Sequence, residues 1–301
     1  MMKTIITGAS GFVGTNLSNY LVSKGFEVEQ LPLRTANFKL DDTATSIIHL
    51  AGKAHDIANT SSESEYYEVN TELTKKVFDA FLSSSVCDFF FFSSVKAVAD
   101  IVEGTLCEDT RPNPQTPYGK SKLAAEAYLL AQALPKGKRL FIIRSAMIHG
   151  AGNKGNLNLL YKVVKKGIPW PLASFTNERS FLSIDNLNYL IEQMLTKKDV
   201  TSGVYNFSDD EYISTNQLIT IIAHSSNKKS RLWAIPPFLF KGIAKAGDVL
   251  KLPINSERLK KLTESYRVSN QKIKSALGIE KLPYTAEEGL IKTIKSFQNK
   301  K

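Results

Sequence analysis

Three glycines spaced three apart, Gly8, Gly11 and Gly14, stand directly behind the short apolar run Thr4-Ile5-Ile6-Thr7. Beyond the turn Phe12, Val13, Leu17, Leu21 and Val22 recur at helical spacing. This order of strand, glycine turn and helix constrains the fold more than any other feature of the chain. Glycine has no Cβ, so the backbone can turn tightly and approach a pyrophosphate, whose charge meets the unpaired N–H groups at the start of the helix. A second strand, expected over Phe26 to Leu31, completes a strand-helix-strand unit of the length of a dinucleotide-binding fingerprint. A glycine-rich turn alone also marks loops that bind nothing, so its weight depends on the strands and side chains further along the chain.

Those strands are of the same kind. The stretches "TSIIHLAG" (45–52), "DFFFFSSVKA" (88–97) and "KRLFIIRSAMIHG" (138–150) are apolar nearly throughout and separated by helical segments. Such strands belong to a parallel sheet covered on both faces. The fold class expected is therefore α/β, a Rossmann-type doubly wound parallel sheet with a smaller C-terminal substrate-binding domain. Residues 1–165 are assigned to the dinucleotide-binding domain and 166–301 mainly to the substrate domain, with segments near 179–207 returning to the sheet. Between the second strand and "SIIHLAG" only about a dozen residues intervene, too few for a helix and a full strand, so a crossover helix is expected to be missing there. In sheets of this kind ligands sit at the carboxyl ends of the strands, where His49, Ser93, Ser94, Arg144 and His149 fall.

Composition narrows the class further. Hydrophobic residues at 43% and charged residues at 23% describe an ordinary globular protein, and no apolar run is long enough to span a bilayer. The first residues lead straight into the glycine turn, so no signal peptide is expected. Two cysteines, Cys87 and Cys107, make neither a disulfide framework nor a metal-ligand spacing. The four histidines show no metal spacing either, and His49 and His149 are expected to be packed or hydrogen-bonded residues rather than catalysts. A reducing, cytoplasmic setting and no metal are expected. The net charge of +10 suits an anionic small ligand or an anionic membrane surface; scattered lysines without a basic, aromatic-interleaved module argue against nucleic acid. The segment "PPFLFKGIAKAGDVLKL" (236–252) has apolar residues Phe238, Leu239, Ile243, Ala246, Val249 and Leu250 at helical spacing beside Lys241, Lys245 and Lys251. It reads as a substrate-domain helix packed on the core, with weak peripheral membrane association as the other reading.

Chemistry concentrates in "QTPYGKSKLAAEAYL" (115–129), a helix expected to enter through Pro117 with Leu123, Ala127 and Leu130 on its apolar side. Tyr118 and Lys122 are four apart and share a helical face. A tyrosine titrating near 10 is a poor acid-base catalyst at neutral pH, but an adjacent ammonium favours the phenolate. Ser94 lies upstream at the mouth of the "FFFF" strand, where its hydroxyl can bond the same substrate oxygen.

Glycine turn, strand-end serine and Tyr-x-x-x-Lys in this order resemble the extended short-chain dehydrogenase/reductase family, the nucleotide-sugar epimerases, dehydratases and reductases. "HLAG" (49–52), Val69-Asn70, "PNPQTPYGKSKLAAE", "RSFLSIDNL" (179–187), "GVYNFSD" and "YRVSNQKIKSALG" are similar to that family's recurring segments. The resemblance implies that Tyr118 donates or accepts the proton at a sugar hydroxyl, that Lys122 binds the nicotinamide ribose and tunes Tyr118, and that Ser94, with Ser93 as fallback, orients the reacting oxygen. It implies cofactor contacts from Gly8, Ser10, Gly11, Phe12, Val13, Gly14, Leu50, Ala51, Gly52 and Asn70 besides Tyr118 and Lys122. Asn156 and Arg179 correspond to residues that hold a UDP diphosphate. At the end of the second strand an acidic residue would select NAD; here Pro32 and then Arg34 stand, which favours NADP over NAD.

Departures also inform. Val95-Lys96 stand where dehydrating relatives carry Asp-Glu, which argues against a dehydratase, and Arg144-Ser145 replace the family's usual Arg-Pro. The stretches "SSVKAVAD", "KKGIPWPLASFTNERSFLSIDNL" and "INSERLKKLTESYRVSN" are similar to bacterial enzymes of surface-polysaccharide synthesis that reduce a UDP-4-keto-6-deoxy-N-acetylhexosamine at C4. Such a reductase is the leading expectation, a UDP-hexose or UDP-N-acetylhexosamine 4-epimerase the alternative. A nucleotide-sensing protein without turnover would have no need of the intact Ser94, Tyr118 and Lys122 set. The family resemblance also leaves a homodimer open.

Overall fold

A computed structural model of the chain describes residues 2–33, 38–53, 62–153, 155–250 and 255–298. The N-terminal half runs β1 (Lys3–Thr7), α1 (Phe12–Ser23), β2 (Glu27–Leu31), β3 (Ser46–His49), α2 (Glu63–Tyr67), a π-helical turn (Glu68–Glu72), α3 (Leu73–Ser83) and β4 (Asp88–Ser94). A 3-10 turn (Val95–Ala97) leads to β5 (Thr105–Leu106), α4 (Pro117–Ala131), β6 (Arg139–Ser145), β7 (Met147–His149) and α5 (Asn156–Lys165). Next come β8 (Arg179–Ser183), α6 (Ile184–Thr196), β9 (Gly203–Phe207), β10 (Tyr212–Ile213) and α7 (Thr215–Ser225). The C-terminal stretch forms α8 (Pro237–Leu250), α9 (Ser256–Thr263), β11 (Arg267–Val268), α10 (Gln271–Leu277) and α11 (Ala286–Gln298).

Six parallel strands make the central sheet in the order β2-β1-β3-β4-β6-β9. Alternate residues of each strand face opposite layers, which is why the "FFFF" run is apolar throughout. Phe90 and Phe92 pack with Leu17 of α1 and Leu187, Leu190 and Met194 of α6, whereas Phe89 and Phe91 pack with Phe78 and Phe81 of α3 and Leu129 of α4. At the start of the sheet Arg139 meets the Asp88 carboxylate through two bonds of 2.7 Å, joining β6 to β4 at the pair where their register begins. The sheet, its parallel sense and its covering on both faces agree with the expected fold class. Between β2 and β3 no helix occurs among the described residues.

The sheet reverses its order of growth at β1, with β2 on one side and β3 on the other. The crevice over the carboxyl ends of β1 and β3 is thus the switch point where ligands of such sheets bind.

Of the segment 179–207, β9 is the sixth strand of the sheet and α6 lies on it, but β8 belongs to a small sheet of order β10-β8-β7. α5 packs through Leu157, Tyr161 and Val164 against Leu218 and Ile222 of α7 and Leu290 and Ile294 of α11. By packing, α5 therefore goes with the C-terminal elements although it precedes residue 166. A further cluster of Leu172, Phe240, Ala244 and Leu259 seats α8 and α9.

The buried side of α4 differs from the expected one. Leu130 is 55% exposed and Ala127 is exposed, whereas Ser121, Lys122, Ala125, Glu126 and Leu129 are buried. Apolar spacing misassigned this helix because its inward face carries polar groups with partners inside the fold. Glu126 accepts from Arg144 of β6 at 2.6 Å and from the Ser93 hydroxyl. A buried ion pair with its lone pairs satisfied stands in for hydrophobic contact there.

Candidate active site

The glycine turn is built by contact, not by looseness. Gly8 has φ of +68°, and a Cβ on it would lie 2.7 Å from the Ala51 nitrogen, so the turn after β1 touches the segment after β3. A Cβ on Gly14 would fall 2.3 Å from the Gly8 carbonyl oxygen, so α1 can rest on the turn only as glycine. Gly11 opens α1 without a side-chain cap and no acidic residue occupies its first turn. The helix start thus keeps donors and partial positive charge for an anion. Ser10 and Gly11 are exposed and Phe12 and Val13 half-buried at this mouth. A turn held this tightly against the segment after β3, with an uncapped helix start at its mouth, fits a dinucleotide pyrophosphate.

β3 ends in His49, whose ring bonds Thr7 at 2.8 Å and Thr74 at 3.0 Å, a fully buried link between β1, β3 and α3. Burial, with the Lys122 charge adding to it, pulls its pKa down to about 3, so it is neutral and structural. Beyond it Leu50, Ala51 and Gly52 are pinned from the π turn. Asn70, fully buried, accepts from the Lys53 amide at 2.8 Å and donates to the Lys53 carbonyl at 3.1 Å and the Ser121 hydroxyl at 3.0 Å. The extra residue of the π turn re-aims a side chain at a site, and here it carries Asn70 inward. A Cβ on Gly52 would lie 3.0 Å from Asn70 Oδ1 and 3.1 Å from Lys122 Nζ, so these three residues meet.

Tyr118 and Lys122 lie on the first turns of α4. Pro117 occupies the first helical position and the Thr116 hydroxyl accepts from the Gly119 amide at 3.3 Å. A Cβ on Gly119 would sit 2.3 Å from the Lys96 carbonyl, so α4 presses against the turn that follows β4. That turn begins at Ser94, whose hydroxyl bonds Tyr118 and also accepts from the Lys96 amide at 3.2 Å. Ser93 points elsewhere, to Glu126. Of the two serines, Ser94 is the one joined to Tyr118.

The electrostatics differ from the sequence expectation. Burial raises the Tyr118 pKa, the Ser94 bond opposes that, and the Tyr66 ring, edge-on at 6.2 Å, adds to the rise. The Lys122 Nζ donates to the Phe92 carbonyl at 2.8 Å, and burial draws its own pKa down to about 8. Tyr118 is therefore a neutral phenol near pH 7, and Lys122 is poised close to neutrality.

Arg179 opens β8, pairs with Tyr266, and has its pKa lowered by burial. Tyr266 donates through its hydroxyl to the carbonyls of Val95 at 3.1 Å and Ala99 at 2.6 Å, which ties the strand of Arg179 to the turn of Ser94. Asn156 stands exposed at the start of α5, and no hydrogen bond among the described residues joins it to this cluster. Arg34 lies outside the described residues. Lys96 donates to the Asp100 carbonyl and covers the Tyr266 ring at 4.3 Å. His149 bonds Thr293 at 2.8 Å from β7, and no metal-binding group occurs among the described residues. Both cysteines are free thiols.

Two residues were missed in the sequence. Asp100 accepts from the amides of Gln115 at 2.7 Å and Thr116 at 3.2 Å, holding the entry of α4; no local signal pairs positions so far apart. Tyr66 packs on Tyr118, and its place in "YYEVN" one turn before Asn70 was the available signal.

The chain matches the NAD dependent epimerase/dehydratase family over residues 4–207. It belongs to that family. It is 32% identical to a UDP-glucose 4-epimerase of Vibrio cholerae, covering 99% of this chain and 96% of that protein. To an N-acetyl-alpha-D-glucosaminyl-diphospho-ditrans,octacis-undecaprenol 4-epimerase of Escherichia coli O157:H7 it is 29% identical, covering 97% and 94%. The structure of a UDP-N-acetylglucosamine 4-epimerase from Bacillus cereus superposes with a TM-score of 0.77 at 19% identity, covering 99% of this chain and 100% of that one, a likeness of fold. Reductases of nucleotide-linked deoxysugars also occur among the relatives, and solved structures of this fold hold NAD or NADPH. This family member is thus an NAD-dependent type of enzyme with epimerase and reductase relatives.

Proposed function

We propose that this protein moves hydride at C4 of a UDP-sugar, with Tyr118 handling the O4 proton. The observation that carries the reading is the Ser94–Tyr118 hydrogen bond over the carboxyl end of β4, beside buried Lys122. A nicotinamide dinucleotide, cradled by Gly8, Gly11 and Gly14 and by the Leu50–Gly52 segment, supplies or accepts the hydride. Tyr118, kept neutral by burial, gives its proton to O4 as hydride reaches C4, and takes it back when hydride leaves. Ser94 holds the same oxygen, so charge developing on O4 meets two donors. Lys122, one turn further, holds the ribose and, when protonated, steadies the phenolate left on Tyr118. Arg179 takes the diphosphate by charge and forked geometry.

Two outcomes use these atoms. Reduction of a UDP-4-keto-6-deoxy-N-acetylhexosamine rests on the similarity of the stretches around Ser94 and Arg179. Epimerisation, in which C4 is oxidised, the keto-sugar turns over and hydride returns to its other face, is supported as strongly by the full-length likeness to two 4-epimerases. The preference for NADP rests on Arg34 and stays a proposal. The Escherichia coli relative is named for a lipid-linked diphosphosugar, which offers the same sugar and diphosphate on a different carrier.

The test incubates the protein with UDP-4-keto-6-deoxy-N-acetylglucosamine and NADPH or NADH, and separately with UDP-glucose or UDP-N-acetylglucosamine and NAD. Stoichiometric loss of reduced nicotinamide marks the reductase; isomer formation with a catalytic amount of cofactor marks the epimerase. Tyr118→Phe is expected to lower kcat by about 10²–10⁴-fold while dinucleotide still binds. A variant that turns over normally would remove the role given to Tyr118, and binding without any turnover would point to a nucleotide sensor.

A further inference from the structure

Several stretches of the chain contain no aspartate or glutamate, and two of them concern one surface. Gly150 to Asn177 carries Lys154, Lys162, Lys165 and Lys166, and Tyr212 to Gly247 carries Lys228, Lys229, Arg231, Lys241 and Lys245. Together the two stretches hold nine cations and no acid, so their positive charge is not offset from within. The fold joins the two stretches. Trp170 pairs with Leu232 and Leu172 with Ala234, the Trp170 amide donates to the Arg231 carbonyl at 2.7 Å, and the Arg231 guanidinium donates to the Gly167 carbonyl at 3.2 Å.

At this junction the surface is apolar as well as basic. Trp233 is 57% exposed, Phe238 70%, Leu239 47% and Ile168 51%. Phe240 and Ala244 turn the inner side of α8 onto Leu172 and Leu259, leaving Phe238, Leu239, Gly242, Lys245 and Ala246 outward along the helix. Lys165 and Lys166, at the end of α5, are exposed beside Ile168. Large apolar side chains kept in water cost free energy unless something covers them. A tryptophan and a phenylalanine projecting among lysines, with the carboxylate of the nearby exposed Asp248 engaged by Ser256, suit one covering: aromatic tips in the acyl boundary and ammonium groups at anionic headgroups.

We propose that this face, formed by the end of α5, the Arg231–Trp233 strand and the outer side of α8, docks the protein on an anionic lipid bilayer. Exposed aliphatic side chains, Leu239 and Ile168, stand beside the aromatic tips, which suits an acyl boundary better than the stacking of bases. The inference concerns binding and does not depend on which sugar is turned over.

The test is flotation of the full chain with vesicles of phosphatidylcholine alone and of phosphatidylcholine with phosphatidylglycerol, at low and high salt. Binding to the anionic vesicles is expected, weakened by salt, with a blue shift of tryptophan emission. Trp233→Ser combined with Phe238→Ser is expected to abolish the shift and most of the bound fraction. Lys165→Glu combined with Lys166→Glu is expected to weaken binding by roughly tenfold or more. Both double variants should retain dinucleotide binding, which shows that they fold. Equal binding to neutral vesicles, no binding to either, or binding indifferent to these substitutions in folded protein would overturn the proposal. So would concentration-dependent self-association that the Trp233 and Phe238 changes abolish, because a second copy of the chain would then be the covering surface.

Discussion

At Lys122 the fold sets a titration that chemistry can use. Its ammonium is buried, bonded to the Phe92 carbonyl and drawn down to about 8. Below that value it is a cation able to donate to a ribose hydroxyl; above it the charge is lost. With the ribose contact proposed for Lys122, the protonated form is the one that would bind, so dinucleotide affinity is expected to fall as pH rises through about 8. Fluorescence titration with NADH from about pH 6.5 to about pH 9.5 reads this directly. Lys122→Met should bind weakly at every pH without the inflection, and a flat wild-type profile would show that Lys122 does not hold the cofactor. The residue type and its spacing from Tyr118 were visible in the chain. Its depressed pKa was not, since burial by β4 and the Gly52 segment supplies it.

Among the elements, α4 decides the site because it carries both Tyr118 and Lys122, and its entry is set by Asp100. That carboxylate accepts three bonds, from the Gln115 and Thr116 amides and the Thr116 hydroxyl. Asp100→Ala is expected to cost about 1–2 kcal/mol of stability. It should also lower kcat several-fold by loosening Tyr118, while dinucleotide affinity changes little because Lys122 is fixed independently to Phe92. Asp100→Asn, which keeps an acceptor oxygen, should recover most of both. Thermal unfolding with steady-state kinetics separates the effects, and an unchanged kcat in the alanine variant would deny the positioning role. The start of α4 was legible from Thr116 and Pro117, which act through their own backbone. Its inward face was not, since Lys122 is buried against the Phe92 carbonyl and Glu126 against Ser93 and Arg144, on two strands that are not its neighbours in sequence.

Across the whole molecule, His49 couples stability to pH. It bonds Thr7 and Thr74, stacks between Phe89 and Phe91 at 6.1 Å each, and is held neutral down to about 3 against an ordinary 6.5. In that interval the unfolded chain binds a proton that the folded chain refuses. Folding stability is therefore complete above 6.5 with respect to this group and declines as pH falls toward 3. Urea midpoints at about pH 7 and about pH 4.5 should differ, and His49→Gln, which keeps bonding capacity without titrating, should narrow the difference. The same difference in variant and wild type would place the acid sensitivity elsewhere, in the carboxylates.

Gly8, Gly11 and Gly14, the uniform strands and the Tyr118–Lys122 spacing were determined by the sequence alone, because backbone freedom, hydropathy period and helical geometry are properties of neighbouring residues. The tertiary structure alone decided that Ser93 turns to Glu126, that α5 joins the C-terminal elements, and that α4 buries its polar side. It also decided that two acid-free stretches separated by β8, α6 and β9 share one surface. Each of these depends on which strand lies beside which, and burial and electrostatic environment follow from neighbours in space that the chain order does not reveal.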